Sequence, residues 1–135
     1  MSETRRPILL YVEDEAIVSM VVIESLEEAG FAVKHVFDGK AALSTLAQGA
    51  GSYRALVTDV RLPEVDGWDI ARRAREIDPS MPVVYVTGDS AAEWSAKGVP
   101  NSLMLEKPFA TAQLVAAVTT LMNQAALALP SVPEK

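Results

Sequence analysis

The sequence has no cysteine and a single histidine. The first absence excludes a disulfide framework and any thiolate metal site, and the second excludes a cluster of histidine ligands. No apolar run approaches the roughly 20 residues needed to cross a bilayer. Met1 to Pro7 is polar and lacks the apolar stretch of a secretory signal. Basic charge is also scarce, since 12 Lys and Arg stand against 18 Asp and Glu for a net charge of -6. Phosphate contacts with nucleic acid need clustered Lys and Arg, so DNA is a poor partner for this chain. The same balance argues against adhesion to an anionic membrane. The expected setting is cytoplasmic, with neither nucleic acid nor membrane as a partner.

What is present suits one folded domain. The chain has 135 residues, half of them apolar and 22% charged. Short apolar bursts alternate with longer amphipathic stretches. Ile8 to Val12 is a continuous apolar run, as expected of a strand covered on both faces. A helix is expected from Ala16 to Ala29, with Gly30 at its C′ position. Val18, Val22, Leu26 and Ala29 form its expected core stripe. A weaker strand follows at Phe31 to Val36, then a helix from Lys40 to Gln48 that Asp38 can cap. Ala55 to Thr58 is a third strand, ending at Asp59. A loop to Gly67, a helix from Trp68 to Ile77 and a strand from Val83 to Thr87 come next. Ala91 to Lys97 reads as a short helix, Leu103 to Leu105 as a fifth strand and Ala110 to Leu127 as a long last helix. Residues 7–127 are thus expected to form the domain, between a disordered N-terminus (1–6) and a flexible tail (128–135).

Strands that alternate with helices imply an α/β fold with a parallel sheet. Ligands of such sheets bind beyond the carboxyl ends of the strands. That edge should gather Glu13 and Asp14, which follow the first strand, Asp59 at the end of the third, Thr87 at the end of the fourth, and Lys107 after the fifth. Three carboxylates at one edge repel one another unless a cation intervenes. A hard, oxygen-liganded ion such as Mg²⁺ (or Mn²⁺) is the natural one, because it can be shared with a phosphate. Lys107 adds a point charge for a phosphoryl oxygen, and Thr87 adds a hydroxyl. Gly88 leaves the entrance open. An Asp carboxylate is a competent nucleophile for aspartyl-phosphate. The set therefore points to phosphoryl transfer onto Asp59 by positioning and charge neutralisation.

Leu10-Tyr11-Val12-Glu13-Asp14-Glu15, Val57-Thr58-Asp59-Val60-Arg61-Leu62-Pro63, Asp66-Gly67, Val86-Thr87-Gly88 and Lys107-Pro108-Phe109, in this order and at these spacings, resemble the receiver domain of bacterial two-component response regulators. The resemblance covers residues 7 to 127. It implies a flavodoxin-like (βα)5 fold, a doubly wound parallel five-stranded sheet of strand order 2-1-3-4-5. It also implies that Asp59 takes a phosphoryl group from a sensor histidine kinase or histidine phosphotransferase. Glu13, Asp14, Asp59 and the main-chain carbonyl of Arg61 would hold Mg²⁺, while Lys107 and Thr87 would contact the phosphoryl group. In the family the positions of Arg61 and Asp89 flank that group and tune its hydrolysis. Such a chain is no enzyme beyond phosphorylating and dephosphorylating itself.

The sequence departs from the family at Met104, where many receivers carry an aromatic three residues before the lysine. Met104 and Tyr85 are therefore the switch candidates, and a subclass of single-domain receivers shares both this loss and the Thr87-Gly88 pair. Helix one has an apolar excess at Ile17, Met20 and Ile23, and the last helix has one at Val115 and Met122. Together with Pro108 and Phe109, Ile17 and Met20 form a candidate docking strip for the phosphodonor; the competing reading is a broad buried face. His35 is expected to be a half-exposed strand residue, and Trp68 and Trp94 to be packing residues. A haloacid-dehalogenase-like phosphatase would need an Asp where Arg61 stands. Remaining alternatives are a phosphate shuttle or sink in a relay and a receiver-like binding module that is never phosphorylated. With no output domain after the last helix, output is expected through contacts with a downstream protein, from a monomer or weak dimer.

Overall fold

In the computed structural model, which describes residues 6–128, five parallel strands among those residues form one sheet of order β2-β1-β3-β4-β5. They are β1 (Ile8–Val12), β2 (Ala32–Val36), β3 (Ala55–Asp59), β4 (Val83–Thr87) and β5 (Ser102–Glu106). The helices are α1 (Ala16–Glu28), α2 (Gly39–Gly49), α3 (Gly67–Ile77), α4 (Trp94–Lys97) and α5 (Thr111–Ala128). Most of the expected N-terminus and tail lies outside the described residues.

The continuous apolar runs sit where both sheet faces are covered. β3 and β4 are buried along their whole length, whereas the edge strands β2 and β5 are only partly covered. Side chains alternate between two cores. Leu10, Val12, Leu56, Val83 and Tyr85 pack against α2 and α3 through Ala42, Leu46, Ile70 and Ala74. Leu9, Tyr11, Val57, Val84 and Val86 pack on the other side against Val22 and Leu26 of α1 and Leu114, Val118 and Leu121 of α5.

The helix ends follow the chemistry of the chain. Gly30 has φ 105°, and its N–H donates to the carbonyl of Glu27 while that of Phe31 donates to the carbonyl of Leu26. This is a Schellman ending, and Phe31 and Leu26 both belong to the core on that face of the sheet. Asp38 caps α2 by accepting from the N–H of Ala41 at 2.8 Å, and Asp66 caps α3 by accepting from that of Asp69 at 3.0 Å.

Two expectations about helices need correction. The stretch Ala91 to Lys97 is not one helix but a 3₁₀ turn (Ala91–Glu93) followed by the single turn of α4. The extended backbone of Gly98 and nearby Pro100 stop it there. Trp94 folds over Gly98 and donates its indole N–H to Ser102 at 2.9 Å. The buried stripe of α1 is Ser19, Val22 and Leu26, with Val18 partly covered and Ala29 exposed. The stripe turns because Ser19 satisfies its hydroxyl within its own turn, donating to the Ala16 carbonyl at 2.8 Å, and so tolerates burial.

Candidate functional site

The carboxyl ends of β1, β3 and β4, with the segment after β5, bring the expected residues to one edge of the sheet. Glu13, immediately after β1, is 1% exposed, and Asp59, closing β3, is 6% exposed. Asp14 is exposed beside them. Each of the three offers a carboxylate oxygen within 4.8 Å of the others. Lys107 enters from beyond β5, and its Nζ lies 3.1 Å from Asp59 Oδ1 and 3.4 Å from Glu13 Oε1.

Burial and neighbouring charge together shift Asp59 and Lys107. Burial raises the pKa of Asp59 to about 7, and repulsion from Glu13 adds to it. Lys107 offsets part of that rise. Burial pulls Lys107 down, but the Asp59 and Glu13 carboxylates outweigh it and hold the ammonium above its ordinary value. Tyr11, buried beneath the same acids, is pushed far above the usual phenol range, so it stays protonated. Glu13, Asp14 and Asp59 converge here while Lys107 pairs with Glu13 and Asp59, so hard oxygen donors outnumber the positive charge. The donor set suits a hard divalent ion such as Mg²⁺.

The main chain under Asp59 is tightly fitted. The N–H of Gly67 donates to the carbonyl of Val60 at 2.8 Å. A Cβ at Gly67 would fall on the Asp59 carbonyl oxygen and 2.9 Å from Val60 Cα. The Asp66-Gly67 pair is therefore a helix cap followed by a close approach to the backbone of Asp59.

Thr87, 1% exposed, accepts from the N–H groups of Asp89 (3.2 Å) and Ser90 (2.9 Å) through its hydroxyl oxygen. Its hydroxyl proton is left available to donate. Gly88 is exposed, and a Cβ there would meet only the Lys107 Cβ, at 4.0 Å. Two residues past Asp59 and Thr87, respectively, Arg61 and Asp89 form an exposed ion pair, Nε to Oδ2 at 3.0 Å. The Ser90 hydroxyl and Arg61 together hold Asp89 below the ordinary carboxylate range.

The remaining candidates lie further out. Tyr85 is fully buried, packs on Trp68 with ring centroids 4.6 Å apart, and accepts from the N–H of Val99 at 3.0 Å. Met104 is its register partner on β5 and is partly covered by the same core. Ile17 and Met20 are exposed at 80% and 68%, so the broad-buried-face reading of α1 does not hold. Ile17, Val18 and Val21 line an apolar groove of about 530 Å³ with Lys107, Pro108 and Phe109. Val115 and Met122 do not extend it, because both pack partly buried against the α1–α5 core. His35 is half-buried as expected, but it reaches the site: its Nε2 lies 2.9 Å from the main-chain carbonyl of Glu13. Distance along the chain had hidden that contact.

A family model described as the response regulator receiver domain matches residues 9–119. The chain is 38% identical over 120 residues to the transcriptional regulatory protein CusR of Escherichia coli (strain K12), covering 87% of this chain and 52% of that protein. It thus spans about half the length of this curated relative. A crystal structure of a response regulator receiver protein from Sinorhizobium medicae WSM419 superposes with a TM-score of 0.87 at 45% identity, over 90% of this chain and 98% of that one. The receiver domain of sensor histidine kinase PA1611 from Pseudomonas aeruginosa PAO1, described with a magnesium ion coordinated in its active site cleft, matches with a TM-score of 0.77 at 25% identity, over 88% of this chain and 99% of that one.

Proposed function

The chain belongs to the response regulator receiver domain family, and from that premise we propose that Asp59 is its phosphoacceptor. The observation that carries this reading is the place of Lys107 Nζ, within 3.4 Å of both Asp59 and Glu13 at the edge where the acids meet. A carboxylate oxygen of Asp59 attacks the phosphorus of a phosphohistidine. The P–N bond breaks, its electron pair returns to the imidazole nitrogen, and the imidazole takes up a proton. Lys107 and the Thr87 hydroxyl hold the phosphoryl oxygens. A Mg²⁺ ion held by Glu13, Asp14, Asp59 and the Arg61 main-chain carbonyl would neutralise charge across the transfer. Hydrolysis of the aspartyl-phosphate later resets the domain, so the chemistry is confined to the chain's own side chain.

The donor is a sensor histidine kinase or histidine phosphotransferase, docking on the groove of Ile17, Val21, Pro108 and Phe109. The receiver unit spans residues 7–127, acts in the cytoplasm, and changes its contacts with a downstream protein when phosphorylated. Phosphorylation adds about -1.5 to -2 charges, and Lys107 with the metal absorbs them. Because Tyr85 is locked by Trp68 and the Val99 amide, the swing falls to Thr87 and to the flexible Met104. A role as a phosphate shuttle or sink uses the same site and the same transfer.

Incubation with Mg²⁺ and a small acyl phosphate tests the reading by intact mass. The expected result is the gain of one phosphoryl group, abolished in Asp59→Asn. No gain, or turnover of added organic phosphates, overturns it.

A further inference from the structure

We infer that His35, on the neighbouring edge strand, is a positioning residue for the metal-binding acids. The inference rests on the proposed metal site and deepens it. Glu13 lies just past the end of β1, where the ladder with β2 runs out. The last register pairs are Tyr11 with His35 and Val12 with Val36. Its peptide groups are nevertheless held on both sides. The N–H of Glu13 donates to the carbonyl of Val36 at 3.1 Å, and its own carbonyl lies 2.9 Å from His35 Nε2.

A carbonyl oxygen only accepts, so Nε2 must carry the hydrogen of this bond. The ring cannot swing away freely. It stacks on Tyr11 with centroids 5.4 Å apart and planes inclined by 28°, and Phe37 packs against it in a tilted arrangement with centroids 4.2 Å apart. The imidazole is thus a rigid strut from β2 to the turn that carries both Glu13 and Asp14.

That turn bears the functional demand. The Glu13 carboxylate is buried, faces Lys107 at 3.4 Å and accepts from the N–H of Glu15 at 3.1 Å. A small rotation of the 13–14 peptide would move both acids relative to Asp59, which belongs to a different strand. Groups that orient ligands from behind set metal affinity nearly as strongly as the ligands do.

Two variants separate positioning from stability. His35→Phe keeps the stacked ring and removes the N–H, whereas His35→Gln keeps an N–H donor at similar reach. Mg²⁺ titration of the full chain, followed by the amide resonances of Asp14 and Asp59, gives the dissociation constant, and thermal melting is recorded beside it. His35→Phe is expected to weaken Mg²⁺ binding by about tenfold with little change in melting. His35→Gln is expected to restore parental affinity. Parental affinity in His35→Phe overturns the inference, and so does equal weakening in both variants. A parent that shows no Mg²⁺ response overturns the metal site itself, which distinguishes that failure from a failure of His35 alone.

Discussion

Lys107 places its ammonium 3.1 Å from one oxygen of Asp59 and 3.2 Å from the other, across 48 residues of sequence. The contact is two-sided, because the same nitrogen also faces Glu13. In the resting site the lysine offsets part of the charge of these two acids. In the proposed transfer it would hold the new phosphoryl oxygens. Lys107→Ala is therefore expected to slow phosphorylation from a small acyl phosphate on the order of a hundredfold, the cost of removing one aimed donor. Mg²⁺ binding should be unchanged or tighter, because a competing cation is gone. Lys107→Arg should not restore the rate, since the planar guanidinium cannot reproduce a compact point charge. Time-resolved intact mass and a Mg²⁺ titration check both parts.

The raised pKa of Asp59 has a thermodynamic consequence. Its carboxyl holds a proton to about 7 in the folded chain but loses it near the ordinary value of 3.8 when unfolded. Between those values the native state binds more protons than the unfolded state, so stability falls as pH rises. The loss is complete once pH passes the folded value. Asp59→Asn is thus expected to melt several degrees above the parent at about pH 8, with the gap closing towards about pH 4. Mg²⁺ should narrow the gap at high pH by stabilising the parent more than the variant, which lacks one of the proposed carboxylate ligands. Thermal melts across the range, with and without Mg²⁺, provide the check; a lower melting temperature for the variant at high pH contradicts it.

The central strands and their terminal acids were legible because burial on both faces leaves an uninterrupted apolar run. Ile8 to Val12 and Val83 to Thr87 show this directly. The convergence of Glu13, Asp59 and Lys107 followed from the rule that parallel strands put ligands at their carboxyl ends. What was not legible depends on contacts between elements. Nothing in the periodicity of α1 favours a buried Ser19 over Ala29. Trp94 folds over Gly98 to reach Ser102 on β5, a contact that the Ala91 to Lys97 stretch does not announce. His35 meets Glu13 only because β2 pairs with β1, and its sequence neighbours carry no sign of that bond. Asp66 could have been read as a cap, since an Asp stands just before a helical stretch with its partner amide three residues on.

Gly67 links α3 to the proposed phosphoacceptor. Its first helical turn lies against the main chain of Asp59 and Val60, too close for any side chain. Gly67→Ala must push α3 away or displace the end of β3. Overpacking of this kind costs about 1–3 kcal/mol. The displaced backbone belongs to Asp59, so Mg²⁺ affinity should fall along with stability. Gly51→Ala is the control, because a Cβ there meets nothing within 4 Å. Its denaturation midpoint and Mg²⁺ affinity should match the parent. A Gly67→Ala variant indistinguishable from that control would disprove the close fit.

The docking strip is tested by separating donor recognition from chemistry. Ile17 and Met20 are largely exposed on α1, and Ile17 borders the apolar groove that ends at Lys107 and Pro108. Solvent-facing residues of this size on a helix contribute little to the core, so replacing them leaves the fold intact. An exposed apolar patch beside a reactive group instead suits a partner that must bring its phosphohistidine to that group. Ile17→Glu combined with Met20→Glu is expected to slow phosphotransfer from the cognate histidine kinase at least about tenfold, consistent with loss of an apolar anchor at an interface. Phosphorylation by a small acyl phosphate should proceed at the parental rate, because Glu13, Asp59 and Lys107 are untouched. Equal kinase rates in variant and parent refute the docking role. Slowing with both donors instead means that the added charge disturbs the acidic site, and then the groove is not a separate recognition surface.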